Sequence, residues 1–391
     1  MGIMNCRNGC NNAEPEVHEA GFNDPKSKQT NEVKETKLAP FKQQCYNIDK
    51  KGDFKKLMDQ QIAYLGKYIS EEEFESKISP NIKSIIETDP LDIPENISNE
   101  FEKFECQPIE FKNGNLYHGF WNNHSQMEGY GKYYIKDENV LAEGIWIKGS
   151  LVFSRIFLPN DEIYIGEIDN STFNGKGKYI TKNYIYEGDF KKGQKDGECK
   201  ITYLDTKTVY RGPICQNIIT GFGNYIWGTN YEYQGELLDN KLNGKGVLIY
   251  NNEKYEGQFN NNKFHGLGKY TFKDGSIYEG DFVCGIKKGK GKYQRMDGFL
   301  FDGEWDNNLP HGQGTITYGN IELKSNWRNG KMVDTPKFEK GTSEDINQED
   351  LNFNVTPGIL EEIVLSNLNY DNYLIESCKF KPTNMPSFLE E

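Results

Sequence analysis

A five-residue pattern recurs through more than half of this chain: an aromatic residue, any residue, glycine, any residue, and then an aromatic or aliphatic residue. Consecutive copies start about 23 residues apart, and a fixed period of this length is typical of stacked copies of one supersecondary unit. Such a chain folds as a series of neighbouring units rather than around one central core. The copies start at Tyr117, Ala142, Tyr164, Tyr186, Tyr210, Tyr233, Tyr255, Tyr278 and Phe301, and a last fragment, Leu323 to Trp327, lacks the glycine.

A second signature, Gly-x-Gly, follows most of these starts at a constant offset. The first repeat has it one residue later, and the second repeat has Ser154-Arg155-Ile156 at the corresponding place. The fourth repeat keeps Gly197 but has Cys199 as the second member of the pair. The complete pairs are Gly129/Gly131, Gly175/Gly177, Gly221/Gly223, Gly244/Gly246, Gly266/Gly268, Gly289/Gly291 and Gly312/Gly314.

The alternation within each repeat predicts a β-hairpin. In a strand, alternate residues share a face, so Tyr255, Gly257 and Phe259 lie on one side. A polar turn follows, and the second strand places Gly266, Gly268 and Tyr270 on that same face. The fifth repeat carries Pro213 in its first strand, so we expect the sheet to bend or fray there and at the second repeat.

The glycines need a physical reason, because glycine weakens a strand interior. We expect an aromatic ring of the neighbouring hairpin to lie where a Cβ would be, so that rings and glycines form a ladder. Hairpins stacked in this way predict a mainly β fold, an elongated single-layer antiparallel sheet. Its predicted core consists of Tyr117, Gly119, Trp121, Tyr164, Gly166, Tyr186, Gly188, Phe190, Tyr210, Gly212, Tyr233, Gly235, Tyr255, Gly257, Phe259, Tyr278, Gly280, Phe282, Phe301, Gly303 and Trp305.

The units YEGDFKKGQKDG and YEGQFNNNKFHGLGKYTFKDG resemble MORN repeats (membrane occupation and recognition nexus). The resemblance covers residues 117 to about 330. It implies a twisted, groove-like sheet in a scaffold protein of membranes, cell cortex, junctions or cilia. It also implies phosphoinositide binding in some members and dimerisation through a terminal repeat in others.

Four segments are predicted from composition and periodicity. Residues 1–44 are polar and predict a disordered tail, residues 45–110 a small helical cap or linker, 111–331 the repeat array, and 332–391 an acidic flank with one helix. The apolar spacing predicts helix over 54–68.

Ser70 with Glu73 forms a capping box, and residues 81–87 predict a further turn or two of helix. The pair Thr356-Pro357 predicts the start of the C-terminal helix. The N-terminal helices either cap the first hairpin or bind a partner, and the C-terminal helix either docks on the array or mediates self-association.

Charge and cysteine usage exclude several classes of protein. The net charge is −13, and residues 111–331 carry 28 basic and 26 acidic residues, or +2, so the acidity lies in the flanks. An acidic chain disfavours nucleic-acid binding. The eight cysteines form no CxxC pair and indicate reduced thiols in a cytoplasmic protein. No apolar run is long enough to span a membrane as a helix.

The N-terminus carries a lipidation hypothesis. Gly2 follows Met1, and Cys6 and Cys10 are close by. The myristoylation pattern places Ser or Thr where Cys6 stands, which is a departure. We predict myristate on Gly2 with palmitate on a cysteine, because stable anchoring takes two lipids. The alternative is an ordinary tail.

Two basic clusters are predicted to lie in hairpin turns along one edge of the sheet. They could contact anionic lipid, each lysine adding about 1 kcal/mol. The alternative is that solvated lysines protect the sheet edges from aggregation. The clusters are Lys191, Lys192 and Lys195, and then Lys287, Lys288, Lys290, Lys292 and Arg295.

No catalytic group, cofactor or metal site is predicted. Residues 285–292 resemble a phosphate-binding loop in composition only, because the GxxxxGK[ST] spacing fails. The expected function is therefore a non-enzymatic scaffold that binds protein partners, with a homodimer as one arrangement. The alternatives are an axonemal or cytoskeletal subunit without a lipid anchor and an accessory module for a phosphoinositide kinase.

Overall fold

The computed structural model describes residues 58–62, 64–97, 103–228, 231–335 and 337–340. The predicted tail, with Gly2, Cys6 and Cys10, lies outside these residues, as does the predicted C-terminal helix. The predicted helix over 54–68 is only partly right. Residues 58–62 and 64–65 are helical, whereas Gly66–Tyr68 forms a strand that pairs with Ile109–Phe111.

The described part of the chain consists mainly of strands joined by turns, with one 3-10 turn inside the array at Pro159–Asp161. Its strands, numbered in chain order, are β1 Gly66–Tyr68, β2 Phe104–Glu105, β3 Ile109–Phe111, β4 Leu116–Trp121, β5 Met127–Ile135, β6 Val140–Ile147, β7 Ser150–Phe157, β8 Ile163–Asp169, β9 Thr172–Ile180, β10 Tyr184–Lys191, β11 Gln194–Tyr203, β12 Val209–Cys215, β13 Ile218–Ile219, β14 Gly221–Ile226, β15 Tyr231–Leu238, β16 Lys241–Tyr250, β17 Glu253–Asn260, β18 Lys263–Thr271, β19 Ile277–Val283, β20 Ile286–Gln294, β21 Leu300–Asp306, β22 Leu309–Tyr318, β23 Ile321–Arg328, β24 Lys331–Met332 and β25 Lys337–Lys340.

These 25 strands form one antiparallel sheet. From β3 to β23 the strands follow chain order, with β13 and β14 both beside β12 and with β24 and β25 both beside β23. The predicted fold class is confirmed. From β3 to β12 and from β14 to β23, each strand pairs with its neighbours in sequence, because each repeat is a hairpin that adds to the previous one.

The hairpin turns explain the frequent asparagines. Asn261 and Asn262 join β17 to β18, and both have positive φ, 49° and 64°. Two left-handed residues in succession characterise the type I′ turn, whose twist matches that of the flanking strands, and asparagine tolerates this conformation. Asn251/Asn252 and Asn307/Asn308 repeat the arrangement.

Two short helices precede the array: α1, Glu71–Ser76, and α2, Pro80–Thr88. Ser70 caps α1 by accepting a hydrogen bond from the Glu73 amide at 3.1 Å, which agrees with the predicted capping box. The α2 helix begins with a proline, which suits the first helical position. The two helices pack on the sheet near β4 to β8 through a separate apolar cluster that contains Phe74 and Ile78.

Candidate functional site

The sheet presents two chemically different faces. One face carries the repeat tyrosines and their partner rings, which are almost entirely buried. The other carries charged residues that are mostly exposed, such as Glu279 and Lys292. We call these the aromatic face and the polar face.

Each repeat tyrosine lies flat over the glycines of its own hairpin. The Tyr255 hydroxyl donates to the Gln258 carbonyl at 2.8 Å, which holds the ring against the sheet. A Cβ on Gly257 would lie 2.6 Å from the Tyr255 Oη, and one on Gly268 would lie 2.5 Å from the ring carbon Cε2. The same tyrosine-to-carbonyl bond recurs three residues after Tyr117, Tyr164, Tyr186, Tyr210, Tyr233 and Tyr278.

The prediction that the neighbouring hairpin supplies the covering ring is therefore only partly right. The same repeat supplies the tyrosine, and the following repeat adds a second ring. Phe190 lies 3.0 Å from the Cβ position of Gly177 in the preceding hairpin. Tyr255 makes edge contacts with Phe259 at 5.1 Å and with Phe282 of the next repeat at 5.3 Å. These edge-to-face contacts join one repeat to the next.

The two glycines of Gly-x-Gly have different roles, which the sequence pattern does not separate. Gly268 pairs directly with Gly257, but Gly266 has a φ of +59° and lies in a bulge opposite that strand. The prediction that both share a face in regular register is wrong, because a bulge adds residues on one strand. Glycine adopts this left-handed backbone conformation more readily than residues that carry a Cβ.

Acidic side chains close the bulges. The Lys290 amide donates to the Asp281 carboxylate at 3.0 Å beside Gly289, and the Lys176 amide donates to Glu167 at 3.1 Å beside Gly175. The acidic residue after the repeat glycine thus binds the backbone of the bulge.

The irregular repeats do not interrupt the sheet. Ser154 replaces a glycine and pairs with Gly144, and Ala142, which stands where other repeats have a tyrosine, is fully buried. Pro213 is paired with Glu198 in the continuous strand β12. The expected fraying is seen as a break in one ladder of β12: Ile214 and Cys215 pair with β13, Val209 to Arg211 pair with β14, and Pro213 lies in the gap between these two pairings.

Burial also determines the protonation state of the titratable groups on the aromatic face. It raises the pKa of Tyr164, Tyr233 and Tyr255, so these hydroxyls stay protonated and donate. It raises the pKa of the Cys199 thiol to about 12, which leaves a neutral thiol that contacts the Gly212 carbonyl at 3.3 Å. Cys199 therefore packs as a small apolar residue.

The basic residues do not line one edge as the sequence pattern predicts. Lys191 ends β10 and Lys192 lies in the following turn, and both are exposed, whereas Lys290 and Lys292 lie on the polar face. Lys288 binds Asp306 at 3.2 Å, and Arg295 binds Asp297 at 2.6 Å.

Two of the lysines lie on the aromatic face. Lys195 is half-buried, and its ammonium donates to the Tyr184 hydroxyl at 2.8 Å. Lys287 is fully buried, with its ammonium 4.9 Å from the centre of the Trp305 ring and 5.0 Å from that of Tyr278. The prediction that Lys287 contacts anionic lipid is therefore wrong, because aromatic rings enclose its ammonium.

Lys287 occupies a position that apolar residues fill in other repeats. It pairs with Phe282 as Phe264 pairs with Phe259 and Leu242 with Leu237. We expect Lys287→Leu to change the free energy of unfolding by less than about 1.5 kcal/mol, because cation–π contacts are exchanged for apolar packing. Lys287→Glu should lower it by about 3 kcal/mol, because a carboxylate would be buried against ring faces. Urea unfolding would measure both, and equal losses would contradict this account of the site.

The polar face carries a continuous row of residues paired directly across the strands. We call it the polar row. In the second half of the sheet, its members are Val247, Glu256, Lys269, Glu279, Lys292, Asp302, Thr315 and Lys324, each paired with the next. In the first half it runs through His118, Lys132, Glu143, Arg155, Ile165, Lys178, Glu187, Lys200, Arg211, Asn224 and Gln234.

The helices α1 and α2 cover the first part of this row. Lys132 binds Glu75 at 3.4 Å, and the Phe74 ring contacts His118 edge-on at 5.5 Å. Between β17 and β21 the row is open, and glycines between alternating charges form the floor of a groove of about 520 Å³.

A buried ion pair links the helices to the sheet, and the sequence pattern does not predict it. Arg155 donates to the Glu143 carboxylate at 2.6 Å and to the Asp89 carbonyl at the end of α2 at 2.5 Å. Both charged side chains are almost fully buried. Burial raises the pKa of Glu143, and Arg155 opposes that shift. The only sequence signal was the unusual Ser-Arg-Ile in place of Gly-x-Gly.

Within the described residues, no group of His, Cys, Asp or Glu side chains is arranged to hold a metal ion. The same part of the chain contains no helix that is long and apolar enough to cross a membrane.

Comparison with known proteins identifies the repeat. The MORN repeat family matches residues 117–140, 164–184, 186–205, 233–253, 255–277, 278–298 and 301–320. The matches omit the irregular repeats that start at Ala142 and Tyr210. No curated protein matches the chain.

Two solved structures illustrate the structural matches. A mutant TCP10 domain of Danio rerio CPAP is 12% identical, covering 59% of this chain and 99% of that one, with a TM-score of 0.27. The TCP10c domain of Drosophila melanogaster Sas-4 is 14% identical, covering 49% and 93%, with a TM-score of 0.20. Similarity at this level supports no argument about function.

Proposed function

This chain is a MORN-repeat protein, and from that premise we propose that it is a non-enzymatic scaffold that binds protein partners through the polar face of its sheet. The proposal rests on the different roles of the two faces of the sheet. The repeat tyrosines are buried over glycines, so the aromatic face serves as the core of the sheet. Most members of the polar row are at least partly exposed, and the row has a fixed register, which suits the recognition of an extended partner.

The proposal is tested by reversing charge on the row. Lys269→Glu with Lys292→Glu would place several carboxylates side by side, and we expect loss of partners that co-purify with the full-length chain from cells. The matched control is Lys263→Glu with Lys273→Glu, which makes the same charge change near the hairpin turns. Partners retained by the row variant, or lost equally from both variants, would argue against the polar face as the binding surface.

We further propose that the scaffold acts at a membrane, cell cortex or cilium. Gly2, Cys6 and Cys10 support attachment through acyl chains, although they lie outside the described residues. The cytoskeletal alternative needs no acylation. A role beside a phosphoinositide kinase is the third alternative, and the basic residues Lys191 and Lys192 remain candidates for lipid contact there.

Acylation gives a direct prediction for localisation. Gly2→Ala should move most of the protein from the membrane fraction to the soluble fraction, because the palmitoylation of nearby cysteines depends on prior membrane contact. Cys6→Ser with Cys10→Ser should weaken retention while myristate remains. The intact mass of the N-terminal peptide shows whether Gly2 is acylated. An unmodified Gly2 would contradict the lipid anchor and favour the cytoskeletal alternative.

A further inference from the structure

A second row on the polar face is apolar, and the helices α1 and α2 cover only its first part. The covered residues include Leu116, Leu141 and Phe157, which are buried in the cluster with Phe74 and Ile78. The row continues without interruption, because Ile163 pairs directly with Ile180. We call the next five residues the open strip: Ile180, Ile185, Thr202, Val209 and Ile226.

The open strip is accessible along its length. Ile226 is 42% exposed, and the other four members are each partly exposed. The strip ends at Glu232, which pairs with Ile226 and accepts a hydrogen bond from Asn224 at 2.7 Å. Four of its five members are aliphatic, and contiguous exposed apolar residues of this kind are typical of interaction surfaces.

The residues beside the strip are mainly cationic. Lys178, Lys200 and Arg211 flank it in the polar row, with Glu187 as the one anion among them. Glu187 already binds Lys200 at 3.0 Å and lies 3.8 Å from Lys178, and Arg211 contributes to lowering its pKa. This flank carries a net charge of +2 and suits an acidic partner.

The chain itself shows what such a surface binds. Over the covered part, α1 and α2 pack Phe74, Ile82 and Ile85 against the apolar residues of this row. A carboxylate of α1 reaches the same polar row, where Glu75 binds Lys132 at 3.4 Å. The open strip repeats this combination of aliphatic residues and flanking cations one step further along the sheet.

We infer that the open strip binds an amphipathic helix of a partner protein whose aliphatic side is flanked by carboxylates. The inference rests on the proposed scaffold function and names the class of partner. Five adjacent strands span about 19 Å, which a helix of about 13 residues matches. Such a helix would continue the layer that α1 and α2 begin, as in other helix-in-groove complexes.

The probe for this inference is a labelled peptide with the sequence of residues 69–89, the acidic helical segment that is seen docked on this face. In the full-length chain the first part of the row is already covered, so added peptide has only the open strip to bind. We expect saturable binding by fluorescence anisotropy. Ile226→Asp should weaken binding at least 10-fold, and Arg211→Glu should weaken it and reduce its dependence on salt. The control is Ile249→Asp, which lies beyond Glu232 and is 38% exposed.

Several outcomes would overturn the inference. These are the absence of binding, binding that Ile226→Asp leaves unchanged, and equal loss from Ile249→Asp. If Ile363→Asp in the full chain raised peptide affinity 10-fold, the occupant would be the chain's own C-terminal segment and not a partner. A dimer that Ile226→Asp dissociates would instead assign the strip to a second copy. Failure of the peptide together with partner loss in the Lys269→Glu and Lys292→Glu variant would leave the scaffold function standing and remove only this inference.

Discussion

Replacing Arg155 with Met should lower the free energy of unfolding by about 3–5 kcal/mol, because it leaves the Glu143 carboxylate buried without its cation. Arg155 also donates to the end of α2, so the substitution removes a buried polar link between the helices and the sheet. We expect α1 and α2 to detach before the repeats unfold. Hydrogen exchange of residues 71–88, followed together with urea unfolding of the sheet, would measure the two effects separately.

The control for Arg155 is a double change. Arg155→Met with Glu143→Leu removes both charges and fills the space with apolar groups. The double variant should regain most of the free energy of unfolding that the single variant loses, because apolar packing can often replace a buried ion pair. If the double variant were as unstable as the single one, the loss would come from shape and not from charge.

Gly257→Val should lower the free energy of unfolding by about 3 kcal/mol. The added Cβ would lie 2.6 Å from the Gly268 Cα and 2.6 Å from the Tyr255 Oη, and the backbone atom has no freedom to move aside. Gly280→Val should behave alike, since its Cβ would lie 2.5 Å from the Gly291 Cα. Thermal or urea unfolding would be compared with that of Glu256→Gln on the polar face, where we expect a change within about 0.5 kcal/mol. Similar midpoints for all three variants would refute the tyrosine-over-glycine packing.

The hairpins could be predicted from the sequence because each is built from local signals. Tyr-x-Gly marks the first strand, Gly-x-Gly the second, and paired asparagines mark the turns. These signals repeat, so an error in one copy is corrected by the others. The irregular repeats, with Ser154, Cys199 and Pro213, show how much substitution the register tolerates when both neighbouring strands hold it.

What the sequence could not show depends on contacts between distant residues or on backbone conformation. The φ of Gly266 arises from a bulge, and two glycines in one motif look alike in sequence. The burial of Lys287 depends on Tyr278 of its own repeat and Trp305 of the next, whereas the adjacent Lys288 is exposed. The pairing of Arg155 with Asp89 joins segments 66 residues apart. The side of the sheet that receives α1 and α2 had no local signature, so the open strip could not be anticipated.

From β3 to β12 and from β14 to β23, strands pair with their neighbours in sequence, and this has a consequence for the order in which the protein forms. All-β proteins usually fold slowly, because their contacts join residues that are far apart in the chain. Here the contacts within the sheet close loops of about one hairpin, so the entropy lost at each step is small. A ribosome that releases the chain from its N-terminus would deliver α1, α2 and the first hairpins together. Each later hairpin would then add to an edge that is already present, and the growing protein would expose a single unpaired strand at a time.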